Sequence, residues 1–197
     1  MDCRFAVKEL EEKKKVDEED VLKLRGCERE LLEELLYGDA AGGKNCKVRK
    51  KLLYALCRLF ELYGDNLSEL KDPLRNVLIG ELRGKCPWSK GVAAEFSGKL
   101  GIEDPEVVEL VVKALGDSCP WVRHRAADAL SRFCRNPEFA RQSYRALIER
   151  LEKDSSPYVQ NYAFHALKVC LETFFSCKME KEAEETKKAM EKIIPLS

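Results

Sequence analysis

Apolar residues recur along this chain at helical spacing. In CPWVRHRAADALSRF, residues 119–133, Val122, Ala126, Ala129, Leu130 and Phe133 fall at i, i+4, i+7, i+8 and i+11, one stripe along a helix. Nearly the same phrase, CPWSKGVAAEFSGKL, stands 33 residues earlier at 86–100. Two looser copies follow the same pattern, NCKVRKKLLYALCRLF at 45–60 and SPYVQNYAFHALKVC at 156–170. Aligned on Val48, Ser89, Val122 and Val159, the copies lie 41, 33 and 37 residues apart. A repeat of this length is the mark of stacked helical hairpins.

A second amphipathic segment precedes each copy: ERELLEELL (28–36), PLRNVLIGEL (73–82), PEVVELVVKAL (105–115) and PEFARQSYRALIERL (137–151). The unit is therefore helix A, a short turn and helix B. Pro87, Pro120 and Pro157 stand where B helices begin, a position whose amide has no intrahelical partner to lose. Residues 3–24, with Phe5, Leu10, Val21 and Leu24, predict short N-terminal helices that end near Gly26. CKMEKEAEETKKAMEKII predicts a charged C-terminal helix with Met179, Ala183, Met190 and Ile194 on one stripe. Both ends suit the polar outer faces that terminal repeats need, and the methionine stripe also suits a docking surface. The expected fold is all-α: a right-handed α-solenoid of about four hairpins at 26–175, capped by 1–25 and 176–197, in one domain over 1–197.

Asp117, then Val122-Arg123 five residues on, then Ala-x-x-Ala-Leu, resembles the HEAT repeats and their armadillo relatives. The resemblance covers residues 27–175. The Asp154/Val159 copy has Gln160 in place of the arginine, the Val48 copy lacks the aspartate, and the Ser89 copy lacks both Asp and Val. The resemblance implies a hydrogen-bonded Asp–Arg ladder between adjacent repeats, which gives Arg123 a structural role. It also implies that the B helices line one surface, usually concave, and that the protein is a scaffold.

Composition adds limits. Hydrophobic residues at 45% and charged residues at 36% of 197 suit a folded protein rich in amphipathic helices. The formal net charge is zero, so only the distribution of charge can point to a partner. No apolar run approaches the ~18 residues of a membrane span, and no membrane partner is expected. MDCRFAVKELEEKKK lacks the apolar core of a secretion signal, so the expected address is cytoplasmic. Nine cysteines form no C-x-x-C pair. Cys57, Cys134 and Cys170 fall on inward faces, and the cysteines read as small buried hydrophobes. Disulfides would need an oxidising compartment or a thermophile's cytoplasm.

No motif for chemistry survives its context. GDAAGGKN at 38–45 has the spacing of a phosphate-binding loop, but Asn45 stands where magnesium needs a hydroxyl. The preceding ERELLEELLY is amphipathic helix rather than the strand such a loop requires. His124 and His165 sit at different repeat positions, unspaced for metal. The expectation is no enzyme, no cofactor and no metal.

Charge sorts by helix type. B segments 44–63, 85–100, 118–135 and 157–175 carry +5, +2, +3 and 0, while A segments 27–37, 68–83, 103–117 and 137–154 carry −3, 0, −4 and 0. Arg58, Lys99 and Arg132 share one B-helix position, and Lys51 and Arg125 share another. Stacked at ~8–10 Å, these five would form a basic ladder on the inner face. Trp88, Trp121 and Tyr158 share a position at its rim. Those rings suit either filling between repeats or stacking on a partner. The expected partner is a protein offering an acidic surface or helix to these eight residues. The alternative is nucleic acid, because Pro-Trp-Val-Arg-His-Arg-Ala-Ala is also similar to helix starts in HEAT-like DNA alkylation repair proteins.

Overall fold

The computed structural model describes residues 2–37 and 46–193. The Gly-rich string at 38–45 and Ile194 lie outside the described residues. Helices α1 (Cys3–Glu12), α2 (Glu18–Lys23), α3 (Glu28–Tyr37), α4 (Cys46–Tyr63), α5 (Lys71–Arg83), α6 (Pro87–Lys99), α7 (Pro105–Ala114), α8 (Pro120–Phe133), α9 (Pro137–Lys153), α10 (Pro157–Ser176) and α11 (Glu180–Glu191) make up most of them, with short 3-10 turns before α5. The fold is all-α, as the periodicity predicts.

Helix boundaries follow local chemistry. Proline is the first residue of α6, α7, α8, α9 and α10, where its fixed φ helps and its missing N–H is not needed. The Asp104 carboxylate accepts from the Glu106 and Val107 amides at 2.9 and 3.2 Å, and the Asn136 side chain accepts from the Glu138 amide at 3.0 Å. Both satisfy donors that a helix start leaves open. α6 ends in a left-handed turn: Gly101 has φ +60°, and the Ile102 amide donates to the Ser97 carbonyl at 3.0 Å.

The chain divides into two compact units, Met1–Ala93 and Ala94–Ser197, with the boundary inside α6. In the first, α4 is the central helix and buries Leu52, Leu53, Leu56, Cys57, Leu59 and Phe60. α1, α2 and α3 pack on it, and α3 packs on α5 as A helix on A helix. In the second unit α8 packs on α10 and α7 on α9, B on B and A on A, while α11 covers α9 and α10. Gly98 marks one close approach there: a Cβ on it would lie 2.7 Å from the Ala129 Cα.

One rung of the Asp–Arg ladder is present among the described residues. Arg123 donates from Nε and Nη2 to both Asp154 oxygens, at 2.7 and 2.8 Å, and from Nη1 to the Asp117 carbonyl at 2.9 Å. Burial alone would raise the Asp154 carboxyl, but hydrogen bonds from Arg123 and the Ser156 amide hold it below the usual carboxylate range. One copy on, the Gln160 side chain donates from Nε2 to the Asp154 carbonyl at 2.9 Å. In the first unit Arg49, which follows Val48 as Arg123 follows Val122, donates to the Leu35 carbonyl at 3.1 Å and pairs with the buried Glu81. A glutamate from the next A helix thus takes the role of the aspartate that the Ser89 copy lacks.

Two expectations need correction. Phe5 is 68% exposed and does not join Leu10, Val21 and Leu24 in the N-terminal core. Cys57, Cys134 and Cys170 are buried thiols, but four other cysteines are not plain core residues: Cys3 bonds to Cys27 and Cys46 to Cys86. Their Cα separations of 5.3 and 5.8 Å suit disulfides. Periodicity identifies inward positions but cannot tell which two thiols from separate helices meet.

Candidate functional site

The eight residues singled out from the sequence fall in both units. In the first, Arg58 on α4 pairs with Glu61 one turn on and with Glu18 of α2 at 3.3 Å. In the second, Lys99 and Arg125 converge on one carboxylate: Glu95 takes the Lys99 ammonium at 2.6 Å and Arg125 Nη1 at 2.9 Å. Arg132 is exposed and has no ion-pair partner among the described residues. Three of the five expected ladder residues, Arg58, Lys99 and Arg125, therefore already contact carboxylates within their own unit.

The rim aromatics sit beside cations. Trp121 has the Arg125 guanidinium 5.7 Å from its ring centre and meets the edge of His124. His124 in turn stacks on Tyr162 at 5.3 Å. Burial and the neighbouring Arg125 charge push the His124 imidazole below its ordinary pKa, which keeps it a neutral flat ring at neutral pH. Tyr158, one turn before Tyr162, is 75% exposed.

A denser group of positive charge gathers elsewhere, in the first unit. Lys47, Lys50, Lys51 and Tyr54 follow at i, i+3, i+4 and i+7 on α4, hence on one face. The connection after α1 contributes Lys13, Lys14 and Lys15, and the start of α6 contributes Trp88. Together they line a cleft of about 700 Å³ with six lysines and one acid, Glu12.

Local structure explains how the walls are held. The Lys51 ammonium donates to the carbonyls of Glu11 and of Lys13, the latter at 2.8 Å, capping carbonyls that the end of α1 leaves open. Burial pushes Lys51 below the ordinary lysine range, against the opposing pull of Glu11. Lys13 pairs with Asp20, a buried carboxylate that also closes the α2 capping box with Asp17. These ties lay the connection across α4 and leave Lys14, Lys15 and Lys47 exposed, without a partner among the described residues. Trp88, 47% exposed, carries the Lys50 ammonium 4.8 Å from its ring centre. Lysines crowded in this way repel one another until a negative charge arrives.

Of the predicted residues, the structure brings Lys51 and Trp88 to this cleft and leaves the other six outside its lining. Sequence reasoning missed Lys13–Lys15, Lys47, Lys50 and Tyr54. The Lys-Lys-Lys run at 13–15 was the available signal.

Residues 75–168 match the family model for HEAT repeats, just under half of the chain. No curated protein matches it. HEAT repeats commonly serve as scaffolds for protein interactions, through the surfaces their stacked helices expose. With that match over residues 75–168, the recurring A–B hairpins, their A-on-A and B-on-B packing and the Arg123–Asp154 rung fit a HEAT-like helical-repeat protein.

Proposed function

We propose that this protein is a non-enzymatic scaffold that holds an acidic segment of a partner protein in the lysine cleft of its first unit. The cleft's lining carries the reading: six lysines, three of them without a partner among the described residues, around an exposed tryptophan. The lysines would meet carboxylates, and Trp88 would cover an apolar or flat side chain between them. A nucleic-acid track would instead need free cations spread along a path. Arg58, Lys99 and Arg125 already hold carboxylates of their own. The proposed setting is the cytoplasm.

The test is fluorescence anisotropy at low salt with a labelled oligoglutamate peptide bearing one tryptophan, against single-stranded and duplex DNA of matched charge. Binding of the peptide that the triple reversal Lys14→Glu, Lys15→Glu, Lys47→Glu abolishes supports the proposal. Binding of DNA alone, with a log–log salt slope of roughly −4 to −5, overturns it in favour of nucleic acid.

A further inference from the structure

The cleft has two walls, and a covalent bond joins them. Cys46 is the first residue of α4 and precedes Lys47, while Cys86 lies just ahead of α6, two residues before Trp88. The Cys46–Cys86 bond therefore sits where the lysine-bearing helix and the tryptophan-bearing helix come together. Trp88 stands over Lys50, one turn into α4 from the bond.

The two disulfides differ in access and place. Cys3 is half-buried but its partner Cys27 is 1% exposed, and neither lines the cleft. Cys46 and Cys86 are both half-buried, and exposed Lys47 and Lys85 flank them in sequence. Positive charge draws an attacking thiolate and stabilises the thiolate that leaves. Arg49 holds Glu81 of α5 independently of the bond, so opening it would loosen the start of α6 without releasing α5.

We propose that the Cys46–Cys86 disulfide is a thiol-operated control on the cleft: the intact bond keeps Trp88 over the lysines, and its reduction releases that wall and weakens capture of the acidic segment. The reductant is a low-molecular-weight dithiol or pair of thiols. One thiolate attacks the Cys86 sulfur, the S–S bond breaks and Cys46 leaves as a thiolate. A second reductant thiolate then attacks the mixed disulfide and frees Cys86. Two electrons pass to the protein, the reductant ends as a disulfide, and the two cysteines end as thiols after taking up the reductant's protons. In a cytoplasm, where the thiol pool reduces accessible disulfides, the cleft would follow the state of that pool.

The control rests on the acidic-segment reading, and two readouts on the full chain separate them. Anisotropy with the oligoglutamate–tryptophan peptide compares oxidised protein with protein treated with dithiothreitol, the state of Cys46 and Cys86 being read by alkylation and mass. Iodide quenching in a Trp121→Phe background reports Trp88 without any ligand. The expected result is about tenfold weaker peptide binding on reduction, the scale of one lost aromatic contact, with increased quenching of Trp88 and recovery of both on reoxidation. Cys3→Ser/Cys27→Ser should still respond, and Cys46→Ser/Cys86→Ser should stay in the weak state. Unchanged quenching after confirmed reduction overturns the control, as does finding Cys46 and Cys86 as free thiols in the oxidised chain. Quenching that responds while neither state binds peptide overturns the acidic-segment reading and leaves the redox-moved wall standing.

Discussion

Replacing Arg123 by alanine tests the rung that joins the last two repeats. The side chains of Arg123 and Asp154 are 10% and 1% exposed, and two hydrogen bonds join them. Removing one partner of such a buried pair costs about 3–5 kcal/mol, because the other charge stays in a poor solvent. Arg123→Ala should fall near the lower end, about 3 kcal/mol, since Arg150 Nη1 lies 3.6 Å from Asp154 Oδ2 and the Ser156 amide still donates to Oδ1. For a chain of this length that is a melting shift of about 6–12 °C. Asp154→Ala should cost more, because only backbone carbonyls would face the buried guanidinium. The double change Arg123→Met/Asp154→Leu should recover most of the loss. The pH dependence carries a sign of its own. Asp154 is depressed in the folded state, so its contribution is full above its unfolded pKa of about 3.9 and is lost as pH falls through the folded value. Asp154→Asn should flatten that acid limb. Urea melts at neutral pH and between about pH 2 and 5 measure both effects. An Arg123→Ala protein within about 0.5 kcal/mol of wild type, the range of an ordinary surface change, refutes the rung as a stabilising element.

Other predictions follow from single contacts. Gly98→Ala should destabilise by up to about 2 kcal/mol in thermal melts, because overpacking against the Ala129 backbone (up to ~3 kcal/mol) outweighs the ~1 kcal/mol gained in helix propensity. Arg49→Ala should cost about 3–5 kcal/mol by leaving Glu81, 3% exposed, without its guanidinium, and Arg49→Ala/Glu81→Leu should recover much of it in urea melts. Reducing Cys46–Cys86, a loop of sequence separation 40, should cost about 4 kcal/mol on chain-entropy grounds, seen as a lower melting temperature that Cys46→Ser/Cys86→Ser reproduces. Trp88→Ala should weaken peptide capture roughly tenfold or more without moving the melting temperature by over a few degrees.

The fold was legible because its signals are local and repeated. Val122, Ala126 and Leu130 reveal a helix with no knowledge of neighbours, and prolines at one position in successive copies fix where each B helix starts. The rung at Arg123 could be anticipated as well, since Asp154 sits at a fixed offset before Val159. Its counterpart at Arg49 could not, because the partner is Glu81, three residues earlier than the aspartate position of the copy aligned on Ser89. A guanidinium reaches any carboxylate that packing brings near, so the same rung can be written with a different acid from a different turn.

The site was less legible for a related reason. Summing charge over a segment treats each lysine and arginine as available to a partner, yet availability depends on the nearest carboxylate in space. Glu95 counts as one negative charge in its segment but receives two cations, Lys99 from its own helix and Arg125 from the next B helix. Lys13–Lys15 entered no sum, because they belong to a connection between caps rather than to a repeat. Repetition ranks residues by how regularly they recur, which serves the core, where each unit must meet the next in the same way. A binding surface need not repeat at all. Lys47 makes the point: it holds in the first B helix the position that Trp88, Trp121 and Tyr158 hold in the later ones. As an aromatic it would have continued the column; as a lysine it faces the cleft that Trp88 closes from the other side. The break in the repeat is where the denser positive charge collects.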